Sequence, residues 1–380
     1  MKALRLCLFP FSAALFLGMA SPGRADVPYE TMRRLYDFTP IGPDNPVVAR
    51  VKDCGIEIPV SEFRASVASL LSKEAARALP LAEKRRYLEQ LLDDHFLLWN
   101  GYEQKADQTE SVAGMLKSTQ AMLLEEVLED QVLKQQGKSS LDRETLLKNY
   151  RDELFDKMDI VVANDAYAAL KAEVHRLNGT AGAMEVLGKP GTKKDGESVA
   201  TPAAVSGMQL AQCKLGAITI GDVLQAYNRL PPPQRPDLDQ SAGLIAVLRQ
   251  MLEPNLMVEE ARARGLEKSQ LVREKMQLNR NVLTRLYALD QLTARAVAQM
   301  KSPDIDARLK EWYQANLKKL YTSTDQSGKE QVLPFAANRD RISDDYFEDL
   351  QEQIRADQIR AWRKQHRVEI DEAVLARAAL

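Results

Sequence analysis

The sequence predicts a mainly α-helical protein of two related lobes, each of which also carries a small β-hairpin and a closing strand. The first observation is composition: Leu, Ala, Glu, Lys, Arg and Gln favour helices and dominate the chain, whereas aromatic residues make up 6%. The second is internal self-similarity. A shift of 160 residues aligns residues 58–132 with residues 218–292 without a gap. We therefore predict an internal repeat.

The N-terminus has the pattern of a cleavable export signal. Lys2 and Arg5 provide positive charge, residues 6–20 form an apolar run, and the small residues Gly23 and Ala25 precede a cleavage site. This run is shorter than the roughly 20 apolar residues that a membrane-spanning helix needs, so we predict cleavage after Ala25. We therefore expect a soluble mature protein in the periplasm, without stable membrane insertion.

The charge pattern argues against nucleic acid as a partner. The full chain has a formal net charge of −2, and loss of the three cations of the predicted signal makes it −5. Lys and Arg are interspersed with Glu and Asp, as on solvated helix faces, and no strongly basic stretch occurs.

Each copy of the repeat is predicted to begin with a small hairpin. Residues 47–58 and 209–220 alternate in polarity and are interrupted by turn residues. A first helix should follow each hairpin, with Ser61 and Asp222 as its N-caps.

Three further helices are predicted in each copy. Apolar residues recur at three- and four-residue steps over residues 81–102 and 241–264, which indicates a second helix. A long third helix begins after the capping residues Thr109 and Ser269, and a fourth helix follows it.

A short closing strand is predicted at the end of each copy, over residues 160–162 and 368–370. It could pair with the hairpin of its own copy and join the two ends of one lobe. Alternatively, the lobes could exchange their closing strands. The sequence leaves both alternatives open.

The repeat and the composition between its copies divide the chain into segments. Six of the 18 glycines fall within residues 178–207, which is typical of a flexible linker. The predicted segments are a signal peptide at 1–25, a flexible lead-in at 26–45, a first lobe at 46–177, a flexible linker at 178–207 and a second lobe at 208–380.

Six segments share the pattern of a known family: residues 47–51, 58–63 and 87–98 of the first copy, and residues 250–253, 260–266 and 309–316 of the second. Together they resemble the N-terminal peptide-binding chaperone domain of the SurA, PpiD and PrsA foldases. The resemblance implies two SurA-N-like helical lobes that bind exported polypeptides.

The sequence departs from this family because it lacks the parvulin-type prolyl isomerase domain. In the first copy the closing strand follows Leu154 within six residues, which leaves no room for such a domain. In the second copy about fifty residues separate Leu317 from Val368, and roughly half of them form a predicted helix. None of the chain's three histidines lies in the paired context that the isomerase requires.

Three functional hypotheses follow. The first is a periplasmic, ATP-independent chaperone that holds unfolded or unassembled exported polypeptides on apolar helical surfaces, without cofactors. The second is a structural or assembly subunit of an envelope secretion or polysaccharide complex, and a homodimer is a further expectation. The third is an active peptidyl-prolyl cis-trans isomerase, which the missing domain disfavours.

Flexible methionines would suit a surface that accepts many client sequences. Six of them lie on the predicted second and third helices: Met115, Met122, Met251, Met257, Met276 and Met300. We expect some of them to line a client groove, and the alternative is that they belong to the core.

Motifs for catalysis or metal binding are scarce. The sequence has no Cys-x-x-Cys and no His-Glu-x-x-His motif, so we expect neither catalytic residues nor a metal site. His95 lies beside Asp93 and Asp94, but one histidine with adjacent carboxylates falls short of a ligand set.

Two cysteines, Cys54 and Cys213, remain after the predicted cleavage, and both fall at the turn of their hairpin. A Cys54–Cys213 disulfide could join the two copies in an oxidising compartment. The alternative is two separate thiols.

Overall fold

The structure, a computed structural model, describes residues 37–136, 142–187, 202–324, 330–378 and 380. The predicted signal peptide at 1–25 lies outside these residues, as do residues 26–36 of the predicted lead-in and residues 188–201 of the predicted linker. No helix within the described ranges is both long enough and apolar enough to cross a membrane.

Helices dominate the described residues, and the strands form small antiparallel sheets, which confirms the predicted fold class at that level. The helices are α1 (Val60–Ala68), α2 (Lys73–Arg77), α3 (Leu81–Glu103), α4 (Glu110–Gln136), α5 (Arg143–Asp156), α6 (Asn164–Leu187), α7 (Ala203–Ser206), α8 (Ile220–Arg229), α9 (Ser241–Ala263), α10 (Gln270–Met300), α11 (Ile305–Leu320), α12 (Arg339–Gln365) and α13 (Glu372–Arg377). The strands are β1 (Val47–Val51), β2 (Ile56–Pro59), β3 (Val161–Val162), β4 (Gln209–Cys213), β5 (Gly216–Thr219), β6 (Thr322–Thr324), β7 (Glu330–Val332) and β8 (Val368–Ile370).

The closing strands are exchanged between the two halves of the sequence. The hairpin β1–β2 is extended by β8, which pairs antiparallel with β1. The hairpin β4–β5 is extended by β3, which pairs antiparallel with β4. Each closing strand therefore completes the sheet of the hairpin that belongs to the other half of the sequence.

Two compact units result from this pairing, and they do not coincide with the predicted lobes at 46–177 and 208–380. Of the residues that the structure describes, unit 1 comprises those of 37–119 and 273–380, and unit 2 comprises those of 120–272. The boundaries fall inside α4 and α10. The physical reason is the strand exchange, because β8 closes the first hairpin and β3 closes the second.

Helical structure extends into the segment predicted as a flexible linker at 178–207. Helix α6 runs from Asn164 to Leu187, and α7 occupies Ala203–Ser206. The glycines of this segment therefore do not all mark a break in helical structure.

Unit 1 has an apolar core that joins the first hairpin to α1, α3, α12 and α13. Phe63 and Phe96 are fully buried, and the Phe96 ring stacks on Trp362 with 6.4 Å between ring centroids. Leu375 of α13 is also fully buried in this core. Burial of each such side chain contributes about 1.5–3 kcal/mol to the stability of the folded unit. Because the core includes residues near both ends of the described chain, it holds these ends together in one unit.

Unit 2 packs the second hairpin against α8 and α9. Ile220 and Val223 of α8 are fully buried, as are Val247 and Leu248 of α9. Because these side chains fix both helices beneath the sheet residues, the β4–β5 turn is held next to α8 and α9.

The first helix after each hairpin has a cap that differs from the prediction. At α1, the side-chain oxygen of Asn45 accepts a hydrogen bond from the Ser61 N–H at 2.8 Å. At α8, Thr219 is the N-cap, and its hydroxyl oxygen accepts from the Asp222 N–H at 3.2 Å. Asp222 Oδ2 accepts in return from the Thr219 N–H at 2.8 Å, which completes a capping box. Ser61 and Asp222 thus lie inside their helices.

Candidate functional site

Unit 2 contains an open groove of about 770 Å³ between the β4–β5 turn, α8 and α9. Its lining combines apolar side chains with charges of both signs. The apolar members include Leu215, Ile218, Met251, Leu252 and Pro254, and the charged members are Lys214, Asp222, Arg229 and Glu259.

Local backbone chemistry places two groups at this groove. Gly216 has φ of 125°, a value that favours glycine, and the turn it completes leaves the Leu215 side chain 38% exposed. Pro254 lies inside α9 and has no N–H, so the helical hydrogen bond to the Gln250 carbonyl is missing. Gln250 and Pro254 both line the groove.

The six methionines are divided between the two units. Their exposure differs widely: Met122 is 66% and Met115 is 37% exposed, Met251, Met276 and Met300 are half-buried, and Met257 is fully buried. Met257 is therefore a core residue, in line with the alternative that the sequence left open for these methionines. Met251 lines the groove of unit 2.

Cys54 and Cys213 lie at their hairpins as predicted, and both are buried thiols. No disulfide joins them within the part of the chain that the structure describes. The Cys213 thiol donates to the Gly216 carbonyl oxygen at 3.4 Å. The pKa of the Cys54 thiol is raised to about 12, mainly because of burial, and the negative charges of Asp53 and Glu103 contribute in the same direction.

Cys54 has a different environment, because Asp53 and His366 lie beside it in unit 1. The His366 Nδ1 and Asp53 Oδ2 atoms are 2.6 Å apart. One ligand atom of each of the three residues lies within 4.8 Å of the other two. The hydrogen bond from His366 is the main cause that lowers the pKa of the Asp53 carboxyl.

The His95 side chain is buried in unit 1 and contacts Glu62, with 2.8 Å between His95 Nε2 and Glu62 Oε1. Its sequence neighbours have other partners: Asp93 pairs with an arginine of α12, and Asp94 with an arginine of α10. The three side chains that the sequence places next to each other therefore contact three separate partners.

Sequence reasoning missed the association of Asp53 and Cys54 with His366. The adjacent Asp and Cys are visible in the sequence, but His366 is more than 300 residues away, and only the β1–β8 pairing brings it to them. Sequence reasoning also missed the groove of unit 2, because the groove depends on how the second hairpin packs against α8 and α9. Of its lining residues, only Met251 was a predicted site residue.

Comparisons of the chain with models of known families, with curated proteins and with solved structures find no match. The chemistry of the two sites themselves therefore has to indicate what each could bind. The groove of unit 2 offers apolar contacts and charges of both signs, which could contact the apolar and charged side chains of a polypeptide. The cluster of Asp53, Cys54 and His366 offers one oxygen, one sulfur and one nitrogen donor.

Proposed function

We propose that this protein is a periplasmic, ATP-independent chaperone that binds unfolded or unassembled exported polypeptides. The groove of unit 2 is the observation that carries the proposal. An extended client would place apolar side chains against Leu215 and Met251. Methionine adapts its shape to different side chains, which favours low sequence specificity.

The order of elements supports the proposed internal repeat and the SurA-type resemblance. A hairpin, a short helix, a helix of 23 residues, a 3-10 turn and a long helix occur in this order from β1 to α4 and again from β4 to α10. Between the short helix and the 23-residue helix lies α2 in the first half and a 3-10 turn at Pro232–Gln234 in the second. A further helix and a closing strand then follow in each half. In the second half, β6, β7 and α12 are inserted before that strand. The inserted elements are too few to form an isomerase domain of the family's type.

A light-scattering assay with an unfolded outer-membrane protein tests the proposal. We expect the wild-type protein to suppress aggregation at stoichiometric ratios, and Leu215→Glu to reduce this suppression several-fold, because it adds a charge to the apolar part of the groove. Leu271→Glu is the matched control, since Leu271 is a 51% exposed leucine of unit 2 that does not line the groove.

Two outcomes would contradict the proposal: no suppression by the wild-type protein, or equal loss in both variants. A purification from the native envelope separates the alternative. A changing set of bound polypeptides supports the chaperone, whereas one stoichiometric partner that resists Leu215→Glu favours a dedicated assembly subunit.

A further inference from the structure

The strand register of unit 1 fixes the position of His366 relative to Asp53. In the antiparallel β1–β8 pair, Val51 lies opposite Val368. Asp53 lies two residues after Val51, and His366 lies two residues before Val368. If the same register continues beyond the strands, Asp53 and His366 lie opposite each other. The 2.6 Å contact between their side chains agrees with this placement.

Cys54 is brought to the same point by the turn of the first hairpin. Residues Lys52–Cys54 form a single 3-10 turn, and Gly55 ends it in the left-handed conformation with φ of 64°. This tight turn lets the Cys54 side chain, 3% exposed, face inward beside His366, while the Asp53 side chain remains 52% exposed. The three donors therefore converge on one point with access from solvent on the Asp53 side.

We propose that Asp53, Cys54 and His366 form a binding site for one divalent cation of the Zn²⁺ class. Imidazole nitrogen, thiolate sulfur and carboxylate oxygen are the donors that Zn²⁺ takes in proteins, at about 2.0–2.3 Å. A tetrahedral ion with such bonds needs its ligand atoms roughly 3.3–3.6 Å apart. The three ligand atoms already lie within 4.8 Å of one another. A small widening of the Asp53–His366 contact would admit the ion.

The surroundings of the cluster suit a cation that displaces protons. The ion would replace the direct contact between Asp53 and His366, and the Cys54 thiol would release its proton to solvent on binding. The negative charge of Glu103, which disfavours a bare Cys54 thiolate, would favour the cation. On the inner side, the Trp99 ring lies edge-on to the His366 ring with 4.9 Å between centroids and restricts water on that side.

A bound ion would tie the first hairpin to the segment between α12 and β8. Three protein ligands leave a fourth position for water, so the site is open to exchange. His366 is far in sequence from Asp53 and Cys54, so the three ligands come together only in the folded chain. The ion would therefore bind the folded chain and not the unfolded one, and it would stabilise unit 1 against unfolding. This proposal is independent of the polypeptide groove in unit 2.

Cobalt titration tests the site directly. The full mature chain, purified without a polyhistidine tag and freed of metal, is titrated with Co²⁺ and followed by its thiolate-to-cobalt charge-transfer absorption. We expect one Co²⁺ per chain, displacement of Co²⁺ by Zn²⁺, and slower alkylation of Cys54 when Zn²⁺ is bound. Cys54→Ser and His366→Gln should each weaken binding at least about tenfold.

The second buried cysteine provides the matched control. Cys213→Ala removes a buried hairpin thiol in unit 2 and should leave both the cobalt absorption and the stoichiometry unchanged. Circular dichroism of each metal-free variant shows whether the variant is folded. Cys54→Ser replaces only the sulfur atom by oxygen, so it is the smallest change at the site. Absence of a thiolate band in the wild-type protein, or an equal band in Cys54→Ser, would overturn the proposal.

Discussion

Gly101 of α3 lies directly against the backbone of Thr284 in α10. A Cβ atom built on Gly101 would approach the Thr284 carbonyl oxygen more closely than real Cβ atoms do, and it would lie 2.7 Å from Thr284 Cγ2. The neighbouring Tyr102 hydroxyl donates to Asn281 Oδ1 of α10 at 2.8 Å. The two helices of unit 1 therefore cross at a point where only glycine fits.

Substitution of this glycine should destabilise the protein. We expect Gly101→Ala to lower the free energy of unfolding by roughly 1–3 kcal/mol, because the added methyl group must separate two packed backbones. Gly114→Ala is the control, since Gly114 lies in α4 with no atom near its missing Cβ, and alanine there should stabilise by about 0.5–1 kcal/mol. Urea unfolding measures both changes, and a destabilising effect of equal size at both positions would contradict the close approach.

The capping box of α8 gives a second prediction. Thr219→Ala removes the hydroxyl that accepts from the Asp222 N–H, so we expect a loss of about 1 kcal/mol in unfolding free energy. Thr219→Ser retains the hydroxyl and should restore most of that loss. The midpoint of urea unfolding, followed by circular dichroism, checks both variants. If serine were as destabilising as alanine, the cap would not be the source of the effect.

Local sequence signals predicted the helices well. The second helices were predicted at 81–102 and 241–264, and they occupy Leu81–Glu103 and Ser241–Ala263. The caps of the third helices were also predicted: the Thr109 hydroxyl accepts from the Val112 N–H at 3.4 Å, and the Ser269 hydroxyl accepts from the Val272 N–H at 3.3 Å. Apolar periodicity and capping depend on residues within a few positions of each other, so a single sequence contains them.

Long-range pairing was not predictable from the same signals. A strand of two or three residues, such as β3 or β8, can pair with either hairpin, since both hairpins present similar apolar alternation. The unit boundaries and the meeting of Asp53 with His366 both depend on that choice. Likewise, the groove depends on Leu215 and Pro254, whose importance appears only when the second hairpin lies next to α9.

Asp152 of α5 is expected to make a pH-dependent contribution to the free energy of unfolding. A hydrogen bond from Lys148 and the charge of Arg249 hold the pKa of the Asp152 carboxyl below its usual value of 3.8. A carboxyl whose pKa is lower in the folded state stabilises the protein above the unfolded pKa and loses this effect as the pH falls through the folded pKa. Since the side chain is 35% exposed, the contribution should be modest, about 0.2–1 kcal/mol.

Asp152→Asn isolates this contribution. The variant should be less stable than wild type at pH 7, and the difference should vanish as the pH falls from above 3.8 through the lowered pKa of Asp152 in the folded protein. High salt at pH 7 should also reduce it, because salt screens a partly exposed ion pair. Urea midpoints across this pH range check the prediction, and a difference that grows on acidification would have the wrong sign.

The buried contact between Glu62 and His95 gives the largest expected effect. Both side chains are nearly inaccessible, at 0% and 2% exposure, so removal of one partner leaves a polar group buried in the core of unit 1. We expect His95→Leu to lower the unfolding free energy by about 3–5 kcal/mol, because a buried carboxylate loses a hydrogen-bonding partner. Glu62→Gln keeps an oxygen that can accept from His95 and should cost only about 1 kcal/mol.

The double variant Glu62→Leu with His95→Leu should be more stable than His95→Leu alone, since neither polar group remains. Urea unfolding of the three variants decides the matter, and a double variant weaker than His95→Leu would show that Glu62 stabilises the core mainly through other contacts.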